Sequence, residues 1–137
     1  VHLGKRGRVL LFFGFVDTVI AASLAFPDAS TRRADLYVWL AAFAPLWVWS
    51  LAWALTALVL FWQAFCRRDA IGYASAIGLK IGWGLLCLGG WLAGEADRGY
   101  VFAGIWLGTA ALVGTIAGWA EPEGERSAAW IRPSSSP

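Results

Sequence analysis

Two residues of opposite charge stand inside otherwise apolar stretches: Asp17 in "FVDTVIA" and Lys80 in "AIGLKIGWG". A carboxylate and an ammonium in hydrocarbon can form a buried ion pair that fixes helix register. They can also serve as a proton or ion relay, or line a polar pore. At 1.5 Å per residue from the start of each apolar run, Asp17 lies about 12 Å deep and Lys80 about 15 Å deep. Both depths fall near the middle of a hydrocarbon core about 30 Å thick. A lone charge there costs at least a few kcal/mol, so the two are expected to pair inside a bundle. The pair is expected to be structural, with the relay or pore lining as the functional alternative.

Little other chemistry is available. His2 is the only histidine and precedes the first apolar run, so neither a histidine-based metal site nor a Ser-His-Asp triad is expected. Cys66 and Cys87 differ by about 20 Å in expected depth and should not bridge, leaving two free thiols packed as small apolar groups. The chain has no CxxC, no HExxH and no glycine-rich phosphate loop. The net charge of +2 gives no sign of nucleic acid as a partner. No catalytic residue, cofactor or metal is expected, and the chain does not read as an enzyme.

The elements that must position Asp17 and Lys80 follow from hydropathy. The 137 residues are 59% hydrophobic and only 15% charged, with the charges clustered between long apolar runs. Runs at residues 9–26, 37–62, 71–93 and 100–120 each approach the roughly 20 residues that a membrane span needs. The expected fold is an all-α, four-helix transmembrane bundle over residues 1–120, followed by a polar, partly disordered tail at 121–137. The first run follows Lys5, Arg6 and Arg8 and resembles a signal peptide in length. Asp17 within it argues for a retained helix.

Basic residues set the expected orientation. Lys5, Arg6, Arg8, Arg67, Arg68, Arg126 and Arg132 fall on one side, against Arg32, Arg33 and Arg98 on the other. The excess places both termini in the cytoplasm of a multi-pass protein of the inner membrane, with the lipid bilayer as its first partner.

Two further patterns concern packing. In the second run, Trp39, Phe43, Trp47, Trp49 and Trp53 share less than half of a helical wheel, with Ala41, Pro45, Ala52 and Thr56 on the other side. This aromatic face is expected to meet lipid or a docking partner, with Ala41, Pro45 and Ala52 inward and a bend at Pro45. Ala70, Ala74, Gly78 and Gly82 recur every fourth residue, and Gly104, Gly108, Ala110, Gly114 and Gly118 follow in the last run. Small residues let helices approach closely, so Gly78, Gly82, Gly104, Gly108, Gly114 and Gly118 are expected to pack helices within the chain, with dimerisation as the alternative.

The chain opens on Val and holds no Met, which fits a GTG start read literally. Its Ala, Gly, Leu, Trp and Arg bias points to a GC-rich source such as an actinobacterium or a phage infecting one. Small size, few helices, short loops, small-residue faces and a charged tail together resemble a holin. That resemblance implies self-association to permeabilise the inner membrane, with no catalytic residue. An accessory or assembly subunit of a larger membrane complex is the alternative, docking through Trp39, Trp47, Trp49 and Trp53. The chain is also similar in size and helix number to small multidrug-resistance transporters, which carry an acidic residue in their first helix. Here that residue is Asp17 rather than Glu, and Lys80 would compete with a cationic substrate.

Overall fold

The computed structural model describes residues 4–66 and 69–119. His2, Arg67, Arg68 and the tail at 121–137 lie outside the described residues. Helices are α1 (Lys5–Ala25), α2 (Ala29–Arg33), α3 (Asp35–Phe43), α4 (Leu46–Gln63), α5 (Ala70–Leu92) and α6 (Gly99–Ala117). No strand occurs among the described residues. Four of the helices, α1, α4, α5 and α6, are long and apolar enough to cross a membrane, and they pack together.

Local chemistry explains several of the helix boundaries. Pro27 follows the last turn of α1 and cannot continue it. Asp28 caps α2, accepting from the Thr31 backbone N–H at 2.7 Å, with the Ser30 hydroxyl 3.0 Å away. These hydrogen bonds, that from Thr31 first, hold the Asp28 carboxyl below its ordinary value. At the end of α5, Gly94 takes a φ of +75°, and the Glu95 and Ala96 N–H groups return to the Gly90 carbonyl. Such a left-handed position suits glycine and satisfies carbonyls that the helix end would orphan.

The second apolar run departs from the single bent helix expected over 37–62. It is two helices, broken at Ala44 and Pro45. Proline brings no N–H and crowds the residue before it, and Ala44 is extended at φ −157° and ψ 148°. The Trp49 indole N–H covers the gap, donating to the Leu40 carbonyl at 3.1 Å and the Ala44 carbonyl at 3.0 Å. The break also frees α3 and α4 to set their rotations separately.

The four long helices form two antiparallel pairs, α1 with α4 and α5 with α6, joined chiefly where α4 meets α5. The ends of α1, α4, α5 and α6 near Lys5, Gln63, Ala70 and Ala117 gather at one end of the bundle, here the terminal end; the opposite is the loop end. Toward the terminal end, Leu10, Phe13, Leu60, Tyr73, Ala76, Val113 and Ile116 form one buried cluster. Toward the loop end, Ala21, Leu24, Leu40, Trp53, Trp83, Cys87 and Ala103 form a second. Along α1 and along α5, the boundary between the two clusters falls at Asp17 and Lys80.

Candidate functional site

The spacing of buried residues on α1 and α5 brings the two charges together. On α1, Leu10, Phe13, Asp17, Ala21 and Leu24 recur every three or four residues and are all buried. On α5, Tyr73, Ala76, Lys80, Trp83 and Cys87 do the same. Lys80 Nζ lies 2.8 Å from Asp17 Oδ1 and 3.2 Å from Oδ2, and both side chains are 0% exposed. The Phe13 and Trp53 rings flank the ammonium, with centroids 5.3 Å and 5.4 Å away. Their negative faces add to the carboxylate in holding a cation out of water.

An aromatic cluster covers the loop-end side of the pair. Trp53 packs edge-on to Trp83 at 5.4 Å and tilted against Trp106 at 5.1 Å, and Trp49 meets Trp83 at 5.6 Å. The buried Trp53 Nε1 has no hydrogen-bond partner among the described residues. Two surface clefts, of about 280 and 340 Å³, open at the loop end, and neither is lined by Asp17 or Lys80. The pair is sealed, and it couples α1 to α5 rather than meeting the surface.

A second ion pair lies at the terminal end. Arg6 Nη2 donates to Asp69 Oδ1 at 2.9 Å, with side chains 21% and 20% exposed. Arg6 Nη1 donates to the Trp119 carbonyl, the Tyr73 hydroxyl donates to the Arg6 carbonyl at 3.2 Å, and the guanidinium lies 5.0 Å from the Tyr73 ring centre. Arg6 thus draws in the starts of α1 and α5 and the end of α6. The two pairs have the same sequence separation, 63 residues, with the signs exchanged: basic α1 to acidic α5 at the terminal end, acidic α1 to basic α5 in the middle. Eleven residues divide the charges on each helix, about three turns, so α1 and α5 run parallel and in register. Arg6 and Asp69 escape a sequence reading that looks only inside the apolar runs. The repeated 63-residue separation is the signal that would find them.

The tryptophan face expected to point outward is largely inward. Trp53 is fully buried, Trp49 is half-buried against Trp83, and Trp39 is half-buried, donating to the Leu86 carbonyl at 3.2 Å. Trp47 alone of the four is exposed, at 64%. Ala41 and Pro45, expected inward, are exposed, and Ala52 is half-buried. The expectation put the small residues inward and the indoles outward; instead the indoles fill the space between α4, α5 and α6, where Trp49 and Trp53 meet Trp83 and Trp53 meets Trp106. In α4, Ser50, Trp53, Ala57 and Leu60 carry the buried stripe, with Ser50 Oγ donating to the Ala21 carbonyl at 2.7 Å.

The packing glycines are also different ones. A Cβ placed at Gly78, Gly82, Gly104 or Gly108 meets nothing within 4 Å; at Gly114 it makes only an ordinary contact with Ile77, and at Gly118 it meets only carbonyls of its own turn. Lys80 explains two of these. A residue two positions away lies about 200° around an α-helix, so an inward Lys80 turns Gly78 and Gly82 outward. Close approach occurs instead at Gly14 against Phe61, Gly72 against Gln63, Gly84 against Leu107, Gly90 against Trp39 and Gly99 against the Cys87 carbonyl. Cys66 and Cys87 are free thiols, the first partly and the second fully buried. No family model, curated protein or solved structure matches the chain.

Proposed function

We propose that this is a multi-pass protein of the cytoplasmic membrane, with both termini cytoplasmic, that self-associates and permeabilises the membrane in the manner of a holin. The observation that carries the reading is the unused small-residue surface. Ala70, Ala74, Gly78 and Gly82 are all exposed along α5, and Gly104 and Gly108 are exposed on α6. Lipid tails are as apolar as the helices, so association in a bilayer depends on close packing, which small residues permit. The seven-to-three excess of basic residues read from the sequence supports the orientation.

The sealed Asp17–Lys80 pair supports a structural role in this reading, because a pair with no exposure lines no pore within one copy. The accessory-subunit alternative loses much of its docking face, since Trp39, Trp49 and Trp53 are engaged within the chain. Expression alone is expected to collapse the membrane potential and stop growth. Expression with a cytoplasmic endolysin should bring abrupt lysis at a set time. A normal potential at high membrane levels of the protein removes the holin reading and favours the accessory subunit.

A further inference from the structure

We propose that α3 is a lipid-interface helix. It seats in the headgroup layer at the loop end, with Val38 and Phe43 against acyl chains and the broken backbone at Ala44 and Pro45 wetted, so that α4 alone crosses the hydrocarbon. The proposal rests on the membrane reading and not on self-association.

The backbone at the break is the first observation. The carbonyls of Ala41, Ala42 and Phe43 and the N–H groups of Leu46 and Trp47 pair with no protein group among the described residues. Ala41, Ala42, Phe43, Pro45 and Trp47 are all exposed. Hydrocarbon offers such groups no partner, so irregular backbone that faces lipid does not occur within it. Water does offer one, yet the side chains exposed around the break, Val38, Phe43 and Trp47, are large and apolar. A layer that hydrates backbone and also accepts apolar side chains is the headgroup–acyl boundary.

The depth of the break agrees. Helices α1 and α4 are antiparallel neighbours, and the Ser50 hydroxyl donates to the Ala21 carbonyl. Four residues beyond these lie Leu46 and Ala25, the first residue of α4 and the last of α1. The break therefore stands level with the end of α1, where Pro27 and Asp28 leave the apolar run. From there the 18 residues of α4 rise about 27 Å, close to the roughly 30 Å of a hydrocarbon core. Trp39 holds α3 at this level, donating to the Leu86 carbonyl and lying close to Gly90 in the last two turns of α5. Exposed Trp47, Trp91 and Tyr100 ring the same end, the last two with ring centres 5.5 Å apart. Aromatic side chains favour that depth of a bilayer. Toward water, α3 is preceded by exposed Arg32, Arg33 and Asp35.

The test measures depth in phospholipid vesicles. Full-length chains carrying Cys66→Ser and Cys87→Ala receive one nitroxide each, at Val38→Cys, Phe43→Cys, Leu55→Cys or Arg33→Cys. Collision with oxygen, which favours lipid, is compared with collision with a water-soluble nickel chelate. Labels at Val38 and Phe43 should be reached by both reagents, about 15 Å from the bilayer centre, with the Leu55 label within about 5 Å of it. The Arg33 label should meet nickel freely. Val38 and Phe43 labels as deep as Leu55, or as wet as Arg33, overturn the seat. Labels that neither reagent reaches mean that a second copy covers α3, which overturns it as well. A Leu55 label as open to nickel as Arg33 removes the membrane reading itself.

The wild-type chain supplies a second measurement that needs no substitution. In vesicles the Leu46 and Trp47 amides should exchange with deuterium well before those at the middle of α4, because water reaches only the first. Equal protection along α4 would mean that the break is dry and the seat is wrong.

Discussion

The pairs Arg6–Asp69 and Asp17–Lys80 are made of the same chemistry at the same sequence separation, yet they sit in different media. The first has both side chains about one-fifth exposed, and Arg6 spreads its donors over Asp69 and the Trp119 carbonyl. The second is fully enclosed, and Lys80 faces one carboxylate and two aromatic rings. Water and salt share the load at the terminal end. In the middle, each partner is the other's only counter-charge among the described residues. A pair of the first kind adds little to stability, whereas one of the second kind is costly to break even where it contributes little when intact.

The largest expected effect is at the centre. Lys80→Ala or Asp17→Ala leaves a charge enclosed without a partner, and breaking a buried pair typically costs about 3–5 kcal/mol. Each variant should unfold at markedly lower denaturant in detergent micelles than the wild type. Replacing both, as Asp17→Leu with Lys80→Met, should recover much of the loss, because well-packed apolar residues replace a buried pair at little cost. Single losses that simply add in the double variant would mean that the two charges contribute independently. If the recovered double variant still permeabilises membranes, the pair is structural; if it folds and fails, the pair belongs to the activity.

A smaller effect separates the two classes of glycine. Gly99 begins α6, and a Cβ there would run into the Cys87 carbonyl, so Gly99→Ala forces backbone apart, an overpacking that costs about 1–3 kcal/mol. Gly78 and Gly82 have open space, and alanine there should hold or raise the stability of one chain, because glycine disfavours a helix interior by about 0.5–1 kcal/mol. Unfolding of each variant in micelles measures the first quantity, and energy transfer between labelled copies in vesicles measures association. Gly78→Ala that destabilises the chain as much as Gly99→Ala would place Gly78 at a contact within the fold rather than on its outer face.

The elements were more legible than their facing. Four apolar runs, a distortion at Pro45 (read as a bend, found as a break) and two opposite charges at like depth can be read from composition and hydropathy. Rotation about each helix axis cannot be read from a repeat alone. Small residues every fourth position mark a stripe on α5, but only the phase set by Lys80 says which way that stripe faces. Trp53 illustrates the same limit. Its neighbours in sequence place it on an aromatic stripe, but its burial depends on Trp83 and Trp106 arriving from α5 and α6. These are contacts between distant segments, and no local pattern encodes them.

The smallest effect belongs to the terminal end. Arg6→Ala removes the Asp69 contact and the hydrogen bond to Trp119, yet it also removes a buried Nε that has no partner among the described residues. The gain offsets part of the loss, and partly exposed pairs contribute only about 0–1 kcal/mol. A modest destabilisation is therefore expected, and it should shrink further in 1 M salt, where the screening length falls to about 3 Å. The Lys80→Ala loss should change little in the same salt, since ions do not reach an enclosed pair. Thermal unfolding of both variants at low and high salt measures the contrast. If Arg6→Ala rivals Lys80→Ala and ignores salt, then water does not reach the terminal end in the folded assembly, and the two pairs are equivalent rather than graded.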